Sequence, residues 1–207
     1  MDARRPDTGL QESRSMGRLE DLERFQAPDR RAWREWLGRN HDSSPGVWLV
    51  YYKKGSGKPS VTYEEAVEEA LCFGWIDSTV RSLDGERYMQ LATPRKPGSH
   101  WSRSNKQRVA RLIERGLMTA AGMRAVESAR EDGSWTFLDP IEDLVIPDDL
   151  AVALEANPAA KRNFEALPDS VKKGILFWIA TAKRDATRER RVAETTSKVA
   201  QGSHPLG

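Results

Sequence analysis

Residues 74–105, G-W-I-D-S-T-V-R-S-L-D-G-E-R-Y-M-Q-L-A-T-P-R-K-P-G-S-H-W-S-R-S-N, read as a β-hairpin, a basic loop flanked by prolines, and the start of a helix. Asp84-Gly85 lies between two strand-like runs, and a type I′ turn favours that dipeptide because it needs φ > 0. A two-residue turn there pairs Leu83 with Glu86, Arg81 with Tyr88, Thr79 with Gln90 and Asp77 with Ala92. Alternate strand residues point to opposite faces. Ile76, Val80, Met89 and Leu91 then belong to a core, while Trp75, Asp77, Thr79, Arg81, Tyr88 and Gln90 share the other face. A slip of one residue would exchange the two sets.

The loop Thr93–Ser102 leads from the hairpin into a helix from about Ser102 to Arg115. Two prolines stiffen it, and Gly98 lets the backbone approach a ligand closely. The first N–H groups of the helix lack internal acceptors, an arrangement that favours anions. Ser99, Ser102 or Ser104 can cap that end, and Arg95 or Lys96 can add charge. The competing reading is ordinary capping on a basic surface. Asp77, one strand position from Trp75 and near Arg81, is a candidate general base, since a carboxylate beside an indole can have a raised pKa. The plainer alternative is an ion pair with an arginine. His100 is the only histidine nearby, and no second catalytic group stands at a fixed spacing.

Outward from this region, Asp29 caps a first helix with Trp33, Trp36 and Leu37 inward, ending near Gly38–Asn40. Residues 46–53, G-V-W-L-V-Y-Y-K, are apolar on both faces, as a covered strand should be. The G-S-G-K-P stretch that follows reads as a loop. Thr62 and Glu65 fit a capping box, with Val61 and Ala66 in the staple positions. The glutamates at 64, 65, 68 and 69 read as the wet face and N-terminal charge of that helix. Cys72, the single cysteine, reads as a buried, inert thiol, which excludes a disulfide framework. Beyond Trp135–Pro140 the chain is helical, with Asn157-Pro158 and Leu167-Pro168-Asp169 as start signals.

The net charge of +2 conceals segregation. Arg95–Arg115 holds seven basic residues against one acid, and Lys161–Arg191 nine against four. Asp139–Glu155 instead carries six acids and no base. Within 182–191, Lys183, Thr187 and Arg191 share a helix face beside Arg184 and Arg188. That stripe reads either as a contact for an acidic partner or as a solvated surface. No apolar run is long enough to cross a bilayer, and the first 20 residues lack the apolar core of a secretory signal. A cytoplasmic location is the expectation. No Gly-x-Gly-x-x-Gly or P-loop pattern occurs, and the histidine and cysteine spacing suggests neither a metal nor any other cofactor.

Several longer motifs carry a resemblance: residues 46–54, G-V-W-L-x-Y-x-K-K; residues 63–78, Y-x-E-A-V-E-E-A-L-C-F-G-W-I-D-S; and P-R-K followed by S-x-W-S-x-x-N-K over 94–106. With F-W-I-x-x-A-K-R-x-x-T-R-x-R-R-V at 177–192, they resemble the YdeI/OmpD-associated family over roughly residues 22–202. The resemblance implies a bacteriocin-protection or antimicrobial-resistance role without assigning a reaction. Its matched polar and aromatic positions are Trp75, Asp77, Ser78, Arg95, Ser99, Trp101, Ser102 and Asn105, with Lys183, Arg184, Thr187 and Arg188.

The expected fold is α+β: a small antiparallel sheet covered by helices, followed by a helical C-terminal segment. The expected organisation is a disordered tail over 1–20, an α+β domain over 21–138 and helices over 139–207. The expected function is a stress- or antimicrobial-protection protein that binds an anionic small molecule or an acidic protein group. In that pocket Arg95 supplies charge, Ser99 and Ser102 hydrogen bonds, and Trp75 and Trp101 an apolar wall, beside Asp77, Ser78, Arg81, Tyr88 and Asn105. An enzyme using Asp77 as base is the first rival. A nucleic-acid binder using the basic helices ranks last.

Overall fold

The computed structural model describes residues 19–206, so the expected tail over 1–20 falls almost wholly outside the described residues. The chain forms two compact units: one runs to Ser99 and includes Asn105–Asp132, the other comprises His100–Ser104 and the chain from Gly133 onward. Among the described residues no helix is long and apolar enough to cross a membrane.

The first unit is built on β2 (Val47–Tyr52), whose first five residues are all buried. The sheet has the order β1-β2-β4-β3, with β1 at Arg24–Gln26, β3 at Trp75–Ser82 and β4 at Arg87–Pro94. β1 pairs parallel with β2, so the sheet is mixed rather than purely antiparallel. The helix α1 (Arg30–Asn40) lies between those strands in sequence and provides the crossover that parallel pairing requires. Three residues are too few to show an alternating pattern, which is why this strand escaped the sequence reading.

The hairpin also departs from its expected register. Asp77 pairs with Ala92 as expected, but Val80 pairs with Gln90, Arg81 with Met89 and Ser82 with Tyr88. An extra residue in β3 between Asp77 and Val80 makes a bulge, and beyond it the two faces are exchanged. Val80 is consequently 58% exposed instead of in the core. Arg81 moves to the opposite face, where its guanidinium lies 4.9 Å over the Trp48 ring. At the tip, Gly85 does not take a positive φ. The turn is held instead by Asp84, whose carboxylate accepts the N–H groups of Glu86 and Arg87 at 2.9 and 2.8 Å.

One face of the sheet carries Trp48, Val50, Met89 and Leu91, packed against Leu19, Leu22 and Leu83. Elsewhere in the unit Trp33 and Trp36 stack at 5.3 Å, and the edge of Trp36 meets Trp75 at 5.8 Å. α2 (Tyr63–Cys72) begins with the expected capping box, in which Thr62 and Glu65 satisfy each other's backbone N–H groups. Thr62→Ala removes the hydroxyl acceptor and should cost about 1 kcal/mol in urea unfolding. A loss near zero would mean that tertiary packing alone fixes this helix start.

The glutamates of α2 are not a uniformly wet face. Glu68 and Glu69 are 8% and 1% exposed, and both pair with arginines of α1. Cys72 is fully buried, and burial, followed by the nearby Glu69 charge, pushes its thiol up to about 11. Positive φ at Gly74 ends the helix turn and leads directly into β3. α3 (Arg103–Glu114) and α4 (Ala120–Glu131) follow, with Val109, Leu112, Val126 and Ala129 buried.

The second unit is helical: α5 (Asp139–Glu142), α6 (Asp148–Glu155), α7 (Pro158–Ala166), α8 (Asp169–Ala180) and α9 (Asp185–Ala200). Its core gathers Leu150, Phe164, Ile175, Ile179 and Val199. Asn157 caps α7 by accepting the N–H of Ala160 at 3.1 Å, with Pro158 at the first helical position. The acidic stretch meets basic partners here. Arg188 grips Asp149 with two bonds of 2.6 and 2.9 Å and holds its carboxyl below the usual range. Arg103 binds Asp143 at 2.6 Å, and its backbone N–H donates to Glu142.

Candidate functional site

In the first unit a polar network forms where β3, β4 and α2 meet. Asp77 accepts a 2.6 Å hydrogen bond from the Gln90 amide and a 3.2 Å bond from the Tyr63 hydroxyl. Gln90 is 5% exposed, so a good partner for its amide matters. Burial, then the Asp77 charge, raises the pKa of Tyr63 and keeps its hydroxyl a donor. Alongside, Arg108 grips Glu64 through bonds of 2.9 and 2.7 Å and donates to Asn105 at 3.2 Å. That guanidinium lowers the pKa of Glu64.

Arg95 follows β4, and its backbone N–H donates to Gly74 at 2.9 Å. Burial pulls the Arg95 pKa down to about 10, although the Asp77 charge opposes the shift. A cation under such desolvation gains more from a nearby anion than an exposed one would. The loop that carries it lines a hollow of about 470 Å³ with Leu19, Leu22, Pro45, Thr93, Pro94, Lys96 and Pro97. Further along, the N–H of Ser99 donates to Lys96 at 3.1 Å, while that of Gly98 donates to Asp132 at 2.8 Å.

The residues singled out from the sequence divide between the two units. Asp77, Ser78, Arg81, Tyr88, Arg95, Ser99 and Asn105 belong to the first with Trp75; Trp101, Ser102, Lys183, Arg184, Thr187 and Arg188 belong to the second. Trp75 is 1% exposed and its indole N–H donates to the carbonyl of His41 at 3.0 Å, so it serves the core. Ser78 sits at the bulge, with its hydroxyl 3.5 Å from the Leu91 carbonyl. Tyr88 stacks flat on Tyr51, with ring centres 4.9 Å apart.

In the second unit Trp101 is 1% exposed and tilts against Trp135 at 5.0 Å. Ser102 shares a 3.1 Å hydrogen bond with Ser104. Lys183 and Arg184 are exposed just before α9, and Arg188 is engaged by Asp149. His100 stacks on Phe137 at 3.9 Å.

A second hollow in the first unit went unread in the sequence. It measures about 420 Å³ and is walled by tyrosines of β2, α2 and β4, with Lys53, Lys54 and Lys58 around it. The sequence signal was the lysine-rich K-K-G-S-G-K stretch between a tyrosine-ended strand and a helix, which was read only as a connection. Among the described residues no group of three or more His, Cys, Asp or Glu side chains could hold a metal ion.

Residues 143–202 match the family described as Bacteriocin-protection, YdeI or OmpD-Associated, and residues 25–125 match a domain of unknown function, DUF8412. No curated protein and no solved structure matches the chain. The resemblance read over 22–202 is thereby divided, the helical unit carrying the named family and the sheet-bearing unit the DUF8412 domain. The chain thus carries an OmdA domain of the bacteriocin-protection, YdeI/OmpD-associated type at residues 143–202 and a DUF8412 domain at residues 25–125.

Proposed function

We propose that this chain is a cytoplasmic protein of the stress- and antimicrobial-protection type that binds an amphipathic anion in the hollow beside Arg95. The observation that carries this reading is the lining itself: Arg95 and Lys96 stand with leucines and prolines around about 470 Å³, and among the described residues none of the lining is acidic. A pocket of that size with apolar walls and a few polar groups is the usual form of a small-molecule site. Charge-assisted hydrogen bonds strengthen where water is scarce, so a carboxylate or phosphate on an apolar body gains from both kinds of surface. Asp77 tempers the charge of Arg95 and favours a ligand with one anionic group over a multiply charged one.

The reading is tested by calorimetry and thermal unfolding with octanoate, octyl phosphate and acetate. The eight-carbon anions should bind and acetate should not. At about 100 times its Kd, a bound ligand adds roughly 2.7 kcal/mol of stability. Arg95→Gln should remove that gain, and the exposed substitution Lys96→Glu should weaken it without disturbing the core. Equal binding to wild type and both variants would exclude this hollow as the site.

A further inference from the structure

From the tyrosine-walled hollow we infer that the first unit holds a second ligand site, selective for a flat aromatic ring bearing a phosphate or carboxylate. The hollow forms because the loop after β2 folds back over the hairpin tip. Lys53 donates its backbone N–H to Glu86 at 2.8 Å, and its ammonium reaches the carbonyls of Asp84 and Gly85 at 3.2 and 3.0 Å. Those carbonyls are neutral, so the charge of Lys53 is held in place without being cancelled. Lys58 pairs with Glu86 at 2.7 Å and also lies 5.1 Å over the ring of Tyr52.

The rim therefore carries three ammonium groups, with Glu86 the carboxylate paired to one of them. An anion entering the hollow meets that surplus. It can also draw Lys58 from Glu86, since the pair is half-exposed and weakly held. Gly55 and Gly57 take positive φ, and nothing stands within 4 Å of where their Cβ atoms would be. The loop backbone is thus uncovered at both positions, where a ligand can approach it closely.

The walls specify the other half of the ligand. Tyr51, 3% exposed, stacks parallel beneath the half-buried Tyr88, 5° apart, and so backs that ring rather than meeting a ligand itself. Tyr63, 47% exposed, faces solvent at the start of α2, and its hydroxyl is anchored by Asp77. Rings presented in this way gain most from another planar ring, through stacking that an aliphatic chain cannot reproduce. The hollow of about 420 Å³ suits a single ring and one anionic group. It has none of the leucine and proline lining found beside Arg95, so the two sites select different ligands.

The full chain should be titrated calorimetrically with phenyl phosphate, glycerol phosphate and phenol. Phenyl phosphate should bind about tenfold tighter than glycerol phosphate, the margin expected for one aromatic pair. Lys54→Glu should weaken both phosphates, whereas Tyr63→Ser, at an exposed position, should erase only the margin between them. Lys54→Glu should leave binding of octanoate at the Arg95 hollow unchanged. Equal affinity for the two phosphates would overturn the aromatic selectivity, and no binding of either, or binding unaffected by Lys54→Glu, would overturn the site itself.

Discussion

Replacing Glu69 with alanine should cost about 3 kcal/mol in the urea unfolding of the first unit, the range for stripping one partner from a buried ion pair. Glu69 is 1% exposed, and its two oxygens accept 2.6 Å bonds from Arg30 Nε and Arg34 Nη1. Burial works against both guanidiniums, yet the hydrogen bonds and charge of Glu69 hold each above its ordinary range. Alanine would leave two cations at the α1–α2 contact with one carboxylate, Glu68, which reaches Arg30 at 2.8 Å. Arg30 and Arg34 keep 27% and 36% of their side-chain surface in water, which limits the loss. Glu68→Ala, touching one arginine rather than two, should cost less than half as much. A Glu69→Ala midpoint within experimental error of wild type would mean that the arginines simply turn outward to solvent.

That network was invisible in the sequence for a physical reason. Four glutamates in one helix turn and a half look like a solvated face, and only the placement of α1 turns two of them inward. Local signals fared better. The Thr62–Glu65 box, the Asn157-Pro158 start and the buried β2 run each depend on residues a few positions apart, and all three stand as read.

The hairpin is intermediate. Its two strands and the Asp77–Ala92 pairing were legible, but the bulge was not, because Ser78 and Thr79 give no local cue to an extra residue. That single insertion moved Val80 outward and Arg81 onto Trp48. The charge segregation was real in sequence and has a structural meaning within the second unit, where Arg103 and Arg188 meet acids of the 139–155 stretch. Asp77 and Arg95 stand out in the sequence by their neighbours, and the lysine loop does not. Glycine and lysine in a connection carry no periodicity, and the tyrosines around them come from three separate elements.

Gly122→Ala should destabilise the first unit by about 2 kcal/mol even though it adds a better helix former. A Cβ at this position in α4 would lie 2.3 Å from the carbonyl oxygen of Cys72 and 2.8 Å from that of Leu71. Both obstacles are backbone, so no side-chain rotation relieves them. The contact is fixed from a second direction, because Thr119 donates both its hydroxyl and its backbone N–H to the same Cys72 oxygen, at 2.7 and 3.1 Å. The helices would have to separate, and overpacking of this kind costs roughly 1–3 kcal/mol or more. Alanine's propensity advantage of about 1 kcal/mol works the other way and does not cover that loss. Gly174→Ala in α8 is the natural control, since its Cβ would meet only the tip of the Leu206 side chain, at 2.8 Å. There the propensity gain should prevail and stability should hold or rise. If thermal melts of the two variants moved together, helix propensity would be deciding both, and the close crossing of α4 over the end of α2 would count for little.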